Sequence, residues 1–166
     1  MRECGDCQVC CVVAAVHDGV VDSPAWTPCK YQCATGCSIY GKQERPKVCS
    51  SFECAWKRGL GPDDDRPDKI GAMFSVNRTE NGKAIGFCME TAPDAVKTTA
   101  RGMATAFART GLPLIVVKHG QKPPEDRGDW VVIRKDLVPL AHAMLGPLEE
   151  TLASDVGMYV FRKVGD

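Results

Sequence analysis

The chain has 166 residues, of which 25% are charged and 44% belong to the hydrophobic group, a composition typical of a folded protein rather than a disordered one. Its 21 basic and 21 acidic side chains cancel, which argues against nucleic acid as a partner. No apolar run approaches the roughly 20 residues of a membrane span, and the N-terminus lacks the apolar stretch of a secretory signal, so we expect a cytoplasmic protein without a membrane partner.

Cysteine is distributed very unevenly along the chain. Nine of the ten cysteines lie between Cys4 and Cys54, and only Cys88 lies beyond them. The chain is therefore predicted to consist of a cysteine-rich module over residues 1–60, a connector over residues 61–69, and a small α/β module over residues 70–166.

The cysteine-rich module begins with a CxxCxxCC run, whose sulfurs belong to Cys4, Cys7, Cys10 and Cys11. Two sulfurs of a CxxC unit can reach one metal ion from a tight turn, and Gly5 gives the first such turn backbone freedom. Adjacent cysteines point in different directions. We therefore expect Cys10 and Cys11 to serve different ions, or different corners of one cluster.

Five further cysteines complete the module: Cys29, Cys33, Cys37, Cys49 and Cys54. Disulfides and metal ions are the two explanations for such density. A reducing cytoplasm keeps thiols reduced, and bridging neighbours such as Cys10 and Cys11 demands a strained turn. The arrangement therefore favours metal ligands over a disulfide scaffold.

The order of eight of these cysteines resembles the CxxCxxCC family, also called the YkgJ family, of zinc- or iron-chelating cysteine-cluster proteins. The resemblance covers residues 4–58 and includes the strings Gly36-Cys37-Ser38-Ile39-Tyr40, Arg45-Pro46 and Phe52-Glu53-Cys54. The chain departs from the family by a longer spacer over residues 41–44 and by the additional Cys33. The resemblance implies eight metal ligands: Cys4, Cys7, Cys10, Cys11, Cys29, Cys37, Cys49 and Cys54. Cys33 is then a bridging thiolate or a ninth ligand.

Zinc and iron–sulfur are both compatible with this set of thiolates. Eight thiolates would fill two closed tetrahedral Zn²⁺ sites, which are structural because no position remains for water or substrate. The opening CxxCxxC also begins the ferredoxin run that holds a [4Fe–4S] cluster. We predict two zinc ions, with iron–sulfur as the alternative. Arg45, next to Pro46 and the Cys49 turn, is predicted to offset negative charge near the sulfurs.

The connector is predicted because its residues interrupt the periodicity of any helix or strand. Gly61, Pro62 and the acidic triplet at 63–65 are typical of a solvated loop. No EF-hand spacing follows the triplet, so we do not expect it to bind a cation.

The α/β module begins with a predicted hairpin, followed by a helix. Strands are predicted over residues 71–79 and 83–89, joined by an Asn-Gly turn. Pro93 is typical of a first helical position. Apolar residues recur at helical spacing up to Phe107, and Gly111 is expected to end the helix.

Further strands are predicted over residues 112–117, 129–134 and 157–162. A helix is predicted over residues 137–145, and a helical turn before the last strand. The order ββαββαβ predicts an α+β fold with a mixed or antiparallel sheet and helices on one face. Cys88 lies in a predicted strand and is expected to be a buried small hydrophobe.

No recognised catalytic motif is present in the sequence. We find no phosphate-binding loop, dinucleotide fingerprint, zinc-protease motif or nucleophile elbow, and the three histidines are scattered. No catalytic residue is therefore assigned. The favoured function is a metal-binding protein with a structural or metal-holding cluster. The alternatives are an iron–sulfur enzyme of redox or group-transfer type and a zinc-stiffened interaction module whose protein partner is unknown.

Overall fold

The N-terminal part of the chain contains only very short elements. The computed structural model describes residues 2–78, 82, 84–112, 114–120, 129–132, 139, 148–153 and 159–163. The first elements are α1 (Cys10–Val13), β1 (Val16–His17), β2 (Asp22–Ser23), β3 (Gln32–Cys33), β4 (Gly36–Cys37) and α2 (Lys47–Ser51). Strands β1 and β2 pair antiparallel, as do β3 and β4.

This part of the chain has few apolar side chains with which to build a core. Of the aliphatic and aromatic residues between 2 and 54, only Val13, Val21 and Ile39 are buried. Ordering each residue costs about 1–2 kcal/mol of backbone entropy, which three small or medium side chains do not offset. The segment therefore needs stabilisation other than hydrophobic burial.

The rest of the described chain forms a mixed sheet with short helices. Its elements are α3 (Pro67–Ile70), β5 (Ala72–Arg78), β6 (Ala84–Glu90), a 3₁₀ helix (Ala95–Lys97), α4 (Arg101–Ala108), β7 (Leu114–Val117), β8 (Asp129–Val132), β9 (Leu148–Ala153) and β10 (Tyr159–Lys163). The six strands pair in the order β5-β6-β7-β8-β10-β9. Among these described strands, β6 and β7 are the one parallel pair, and the other pairs are antiparallel. The described part of the chain has no helix long and apolar enough to cross a bilayer.

The predicted hairpin and the mixed sheet are confirmed. Strands β5 and β6 pair from Ala72 opposite Glu90 to Arg78 opposite Ala84. The asparagine of the predicted turn lies outside the described residues. Strands β7, β8 and β10 fall within or next to the three further predicted strands. The predicted helix over 137–145 lies outside the described residues, apart from Pro139.

The continuous helix predicted from Pro93 to Gly111 is wrong in its first half. The chain instead forms the 3₁₀ helix, and α4 begins only at Arg101. Thr98 leaves the helical region of backbone space (φ −119°, ψ −100°), and the hydroxyl of Thr99 donates to the carbonyl of Ile70 at 2.7 Å. This long-range bond ties the chain to α3 at the point where the helix is broken.

Where a helical turn is predicted before the last strand, the structure has a strand over Leu148–Ala153, and residues 154–158 lie outside the described residues. Residues Leu148–Ala153 form strand β9, which pairs antiparallel with β10. Leucine, glutamate and alanine favour helix locally, but ladder hydrogen bonds with β10 outweigh a propensity of a few tenths of a kcal/mol per residue.

Helix α4 and the 3₁₀ helix pack on one face of the sheet. The core contains Phe74 and Cys88 from the hairpin, Met103 and Phe107 from α4, and Val116 from β7. The rings of Phe74 and Phe107 lie 6.0 Å apart. Cys88 is fully buried, as expected. The described core thus combines helices with a mixed sheet, as the predicted α+β class requires.

The segment after Cys54 joins the cysteine-rich module to the sheet. Ala55 and Trp56 are buried in the same core, and the amide of Ala55 donates to the carbonyl of Phe74 at 2.7 Å. The indole of Trp56 donates to the carbonyl of Asp63 at 3.0 Å. Cys54 is therefore held next to a rigid part of the fold.

We expect Gly86→Ala to destabilise the α/β module by about 1–3 kcal/mol, the usual cost of an overpacked core. A Cβ at Gly86 in β6 would overlap the ring of Phe107 and lie 2.9 Å from Leu114 Cδ1. Both neighbours are buried and cannot move aside freely. Urea unfolding of the two proteins measures the difference.

Gly102→Ala is the matched control for Gly86→Ala. Its Cβ would lie on α4, 3.3 Å from Asp65 Oδ2 at the end of a flexible side chain. Alanine is favoured over glycine in a helix by about 1 kcal/mol, so this variant should be as stable as the parent or more so. Equal stability of the two variants would contradict the packing argument.

Candidate metal centre

A cavity of about 150 Å³ lies within the cysteine-rich module. Its wall combines sulfur with aliphatic and aromatic side chains, such as those of Val16, Ile39 and Phe52, and with the cations Arg45 and Lys57. Seven of the eight predicted ligands line it: Cys4, Cys10, Cys11, Cys29, Cys37, Cys49 and Cys54. These residues converge from segments that are far apart in the sequence.

The first sulfurs are positioned by a tight turn and by α1. The amide of Cys7 donates to the carbonyl of Cys4 at 3.0 Å, and Gly5 adopts a positive φ of 56° in this turn. Cys10 and Cys11 are consecutive in α1, so their side chains leave the helix about 100° apart. Both nevertheless reach the cavity.

The middle cysteines are positioned by backbone hydrogen bonds. The amide of Cys29 donates to the carbonyl of Cys11 at 3.0 Å, and the amide of Gln32 donates to the carbonyl of Cys29 at 2.9 Å. Gln32 pairs with Cys37 across β3 and β4. This chain of contacts connects Cys11, Cys29 and Cys37.

The last two predicted ligands lie within α2 and shortly after its end. Cys49 lies within that helix, and Arg45 Nη2 donates to its carbonyl at 2.7 Å. The Arg45 guanidinium also stacks on Tyr40, with Cζ 4.4 Å from the ring centre. Cys54 directly precedes the residues that enter the sheet core. Arg45 therefore lies in the cavity wall beside a predicted ligand, where the sequence places it.

The electrostatic environment raises the pKa of three thiols in the cavity wall and lowers that of one. Burial raises the pKa of Cys49 and Cys54. The pKa of Cys10 is raised by its hydrogen bond to Cys11, by burial, and by neighbouring sulfurs. That hydrogen bond and the charge of Arg45 lower the pKa of Cys11 to about 7. Cys11 therefore ionises more readily than Cys10, Cys49 and Cys54.

Cys7 lies outside the cavity wall and faces the connector. Burial and a hydrogen bond to the carboxylate of Asp68 raise its pKa. Asp68 in turn accepts two bonds from Arg66, at 2.7 and 2.8 Å, and Arg66 also bonds Asp6 at 2.8 Å. Sequence reasoning missed Arg66 and Asp68, since only the fold brings the connector against the CxxC turn.

Cys33 is exposed and lies outside the cavity wall. A hydrogen bond with the hydroxyl of Thr35, at a separation of 3.6 Å, lowers its pKa. The additional cysteine therefore differs from the predicted ligands in position and in chemistry.

The donor atoms around the cavity are of the type that a thiophilic metal prefers, but they are not arranged as a complete coordination shell. Thiolate sulfur is the preferred ligand of zinc and of iron–sulfur iron, and seven such donors face one cavity. Within the described residues, no group of three or more His, Cys, Asp or Glu side chains is arranged to hold one metal ion. Ligation therefore requires side-chain movement towards a shared ion. The exposed His17 pairs instead with Asp22.

Comparison with known proteins gives no relative from which to transfer a function. No family model, no curated protein and no solved structure matches the chain. The resemblance to the CxxCxxCC family therefore stays a prediction from cysteine order and spacing.

Proposed function

We infer that the chain is a metal-binding protein that holds zinc, two ions per chain, between the thiolates around the cavity. The observation that supports this function is the convergence of seven cysteines, from Cys4 to Cys54, on one cavity. The described cysteines are all free thiols. In a reducing compartment they remain so, and a bound cation then gives their convergence a physical reason.

The residues of the module suit a structural or metal-holding site. Bound zinc would take the place of the thiol protons and attract the resulting thiolates. Aliphatic side chains such as Ile39 and Val21 exclude water, which strengthens the electrostatic interactions of the sulfurs. Arg45 offsets part of the negative charge, and the pKa of Cys11 favours its early ionisation. Lys57, also in the wall, pairs with Glu53 at 3.6 Å. Because residues 2–54 have so small a core, metal binding would also stabilise their fold.

Metal analysis of protein purified without oxygen tests this function. We expect two zinc ions per chain, no acid-labile sulfide and a colourless solution. Iron with equimolar sulfide and a brown colour would instead establish the iron–sulfur alternative. Protein without tightly bound metal, and without affinity for added Zn²⁺ or Fe²⁺, would rule out both. Cys88→Ser, whose sulfur is buried in the sheet core, should leave the metal content unchanged.

Zinc binding to the metal-free protein is expected to release protons and to weaken as the pH falls. The thiols of Cys10, Cys49 and Cys54 have raised pKa values and are protonated at neutral pH. Because only thiolates bind the metal, each such ligand must lose its proton, and lower pH opposes that loss. Calorimetry in buffers of different protonation enthalpy measures the release. A binding enthalpy independent of the buffer would contradict this prediction.

A further inference from the structure

Two arginines fasten the CxxC turn over residues 4–7 to the chain that follows Cys54. Arg2 precedes the turn and its side chain reaches residues 56–63. Arg66 comes from the connector and its side chain reaches back to the turn. Both side chains are largely buried, with 20% of each exposed. We call the contacts of these two side chains the arginine clasp.

The guanidinium of Arg2 is surrounded by backbone carbonyls. Its Nη1 donates to the carbonyls of Trp56 and Leu60, each at 2.9 Å, and its Nη2 donates to that of Gly61 at 2.6 Å. Its Nε donates to the carboxylate of Asp63 at 2.7 Å, and its Cζ lies 5.2 Å from the ring centre of Trp56. A planar fork of donors satisfies these four acceptors together, whereas a lysine ammonium has only three donors.

The guanidinium of Arg66 lies directly against the CxxC turn. Its Nη1 bonds the carboxylate of Asp6 at 2.8 Å and the carbonyl of Cys4 at 3.4 Å. A Cβ at Gly5 would lie 3.3 Å from the same nitrogen. The turn is therefore held at two points, by Arg2 just before it and by Arg66 along it.

The clasp joins two parts of the chain that differ in what stabilises them. Trp56 is buried in the sheet core, whereas Arg2 and Asp6 belong to a segment that buries very few apolar side chains. If zinc binding orders that segment, the contacts of Arg2 form only in the metal-bound state. Contacts made only in that state add their free energy to the apparent zinc affinity and leave the metal-free state unchanged.

We propose that Arg2 and Arg66 are positioning residues of the metal site, which tighten zinc binding by holding the CxxC turn in place. The inference rests on the proposed function and assigns no thiol to a particular ion. It also gives Asp63, a member of the acidic triplet, a part in retaining the metal through its bond to Arg2. The neighbouring Asp64 bonds Lys69 within the connector, at 3.4 Å, and is not part of the clasp.

Competition for zinc between the full chain and a chromophoric chelator tests the proposal. Arg2→Ala and Arg66→Ala are each expected to lower the zinc affinity at least about tenfold, because each removes hydrogen bonds of a charged group. Arg2→Lys keeps the charge without the fork and should lower it less. Asp63→Ala and Asp6→Ala each remove one exposed ion pair and should lower it about two- to fivefold. Asp64→Ala, the matched control, should leave it unchanged.

Urea unfolding of the metal-free proteins separates positioning from a merely structural role. Because the contacts of Arg2 are expected to be absent without metal, Arg2→Ala should leave the unfolding midpoint of the metal-free sheet unchanged. A lower midpoint, an unchanged zinc affinity of Arg2→Ala, or equal effects of Asp63→Ala and Asp64→Ala would each overturn the proposal while zinc binding stands. If the unmodified chain binds no zinc, the proposed function itself is overturned, and this inference with it.

Discussion

Removing the proposed zinc ions is expected to unfold the cysteine-rich module and to leave the sheet folded. Structural zinc contributes about 10–16 kcal/mol of apparent binding free energy in small zinc domains, which is comparable to the roughly 5–15 kcal/mol stability of a typical domain. Residues 2–54 bury only Val13, Val21 and Ile39 among their aliphatic and aromatic side chains. The sheet has its own core around Phe74 and Phe107.

This prediction includes the position of the boundary between the part that unfolds and the part that stays folded. Ala55 and Trp56 pack into the sheet core, so protection from protease should begin near residue 55 after a strong chelator is added under reducing conditions. Circular dichroism should show loss of the N-terminal structure with the strand signal retained. Added zinc should restore the protection. Cleavage spread evenly through both parts, or unchanged resistance, would argue against separate stabilisation of the two parts.

Local patterns account for most of the fold that the sequence predicts. The β5–β6 hairpin follows from two short apolar runs on either side of an Asn-Gly pair in the sequence, a signal that acts over a few neighbouring residues. The failures involve distant partners. Residues Leu148–Ala153 become a strand because β10 lies beside them, and the helix after Pro93 is interrupted where Thr99 bonds the distant Ile70. Propensities of a few tenths of a kcal/mol cannot anticipate such contacts.

The candidate site shows the same division between local and distant information. Spacing and resemblance lead to the eight predicted ligands, because cysteine is recognisable from the sequence as a residue that can bind a metal. They do not indicate that Cys7 turns towards Asp68 or that Lys57 enters the cavity wall. Both contacts depend on how the connector and the segment after Cys54 pack against the CxxC turn. The arginines that fix this packing, Arg2 and Arg66, have no local signature.

Cys33 is expected to be alkylated first in the zinc-loaded protein, at least roughly tenfold faster than any other cysteine. The thiolate is the reactive form, and access controls its rate. The thiol of Cys33 is exposed and has a lowered pKa because of Thr35, whereas zinc would protect the predicted ligands. Iodoacetamide labelling over time, followed by peptide mass spectrometry, measures the order.

The order of labelling after chelation provides the control, because the other cysteines differ in what protects them. The ligands around the cavity should then react within the same period as Cys33, while Cys88, fully buried in the sheet core, should wait for unfolding by denaturant. Cys33→Ser should keep both zinc ions. If that variant loses zinc, or if zinc shields Cys33 as strongly as it shields Cys49, then Cys33 is itself a ligand and must move inward from its exposed position to reach the ion.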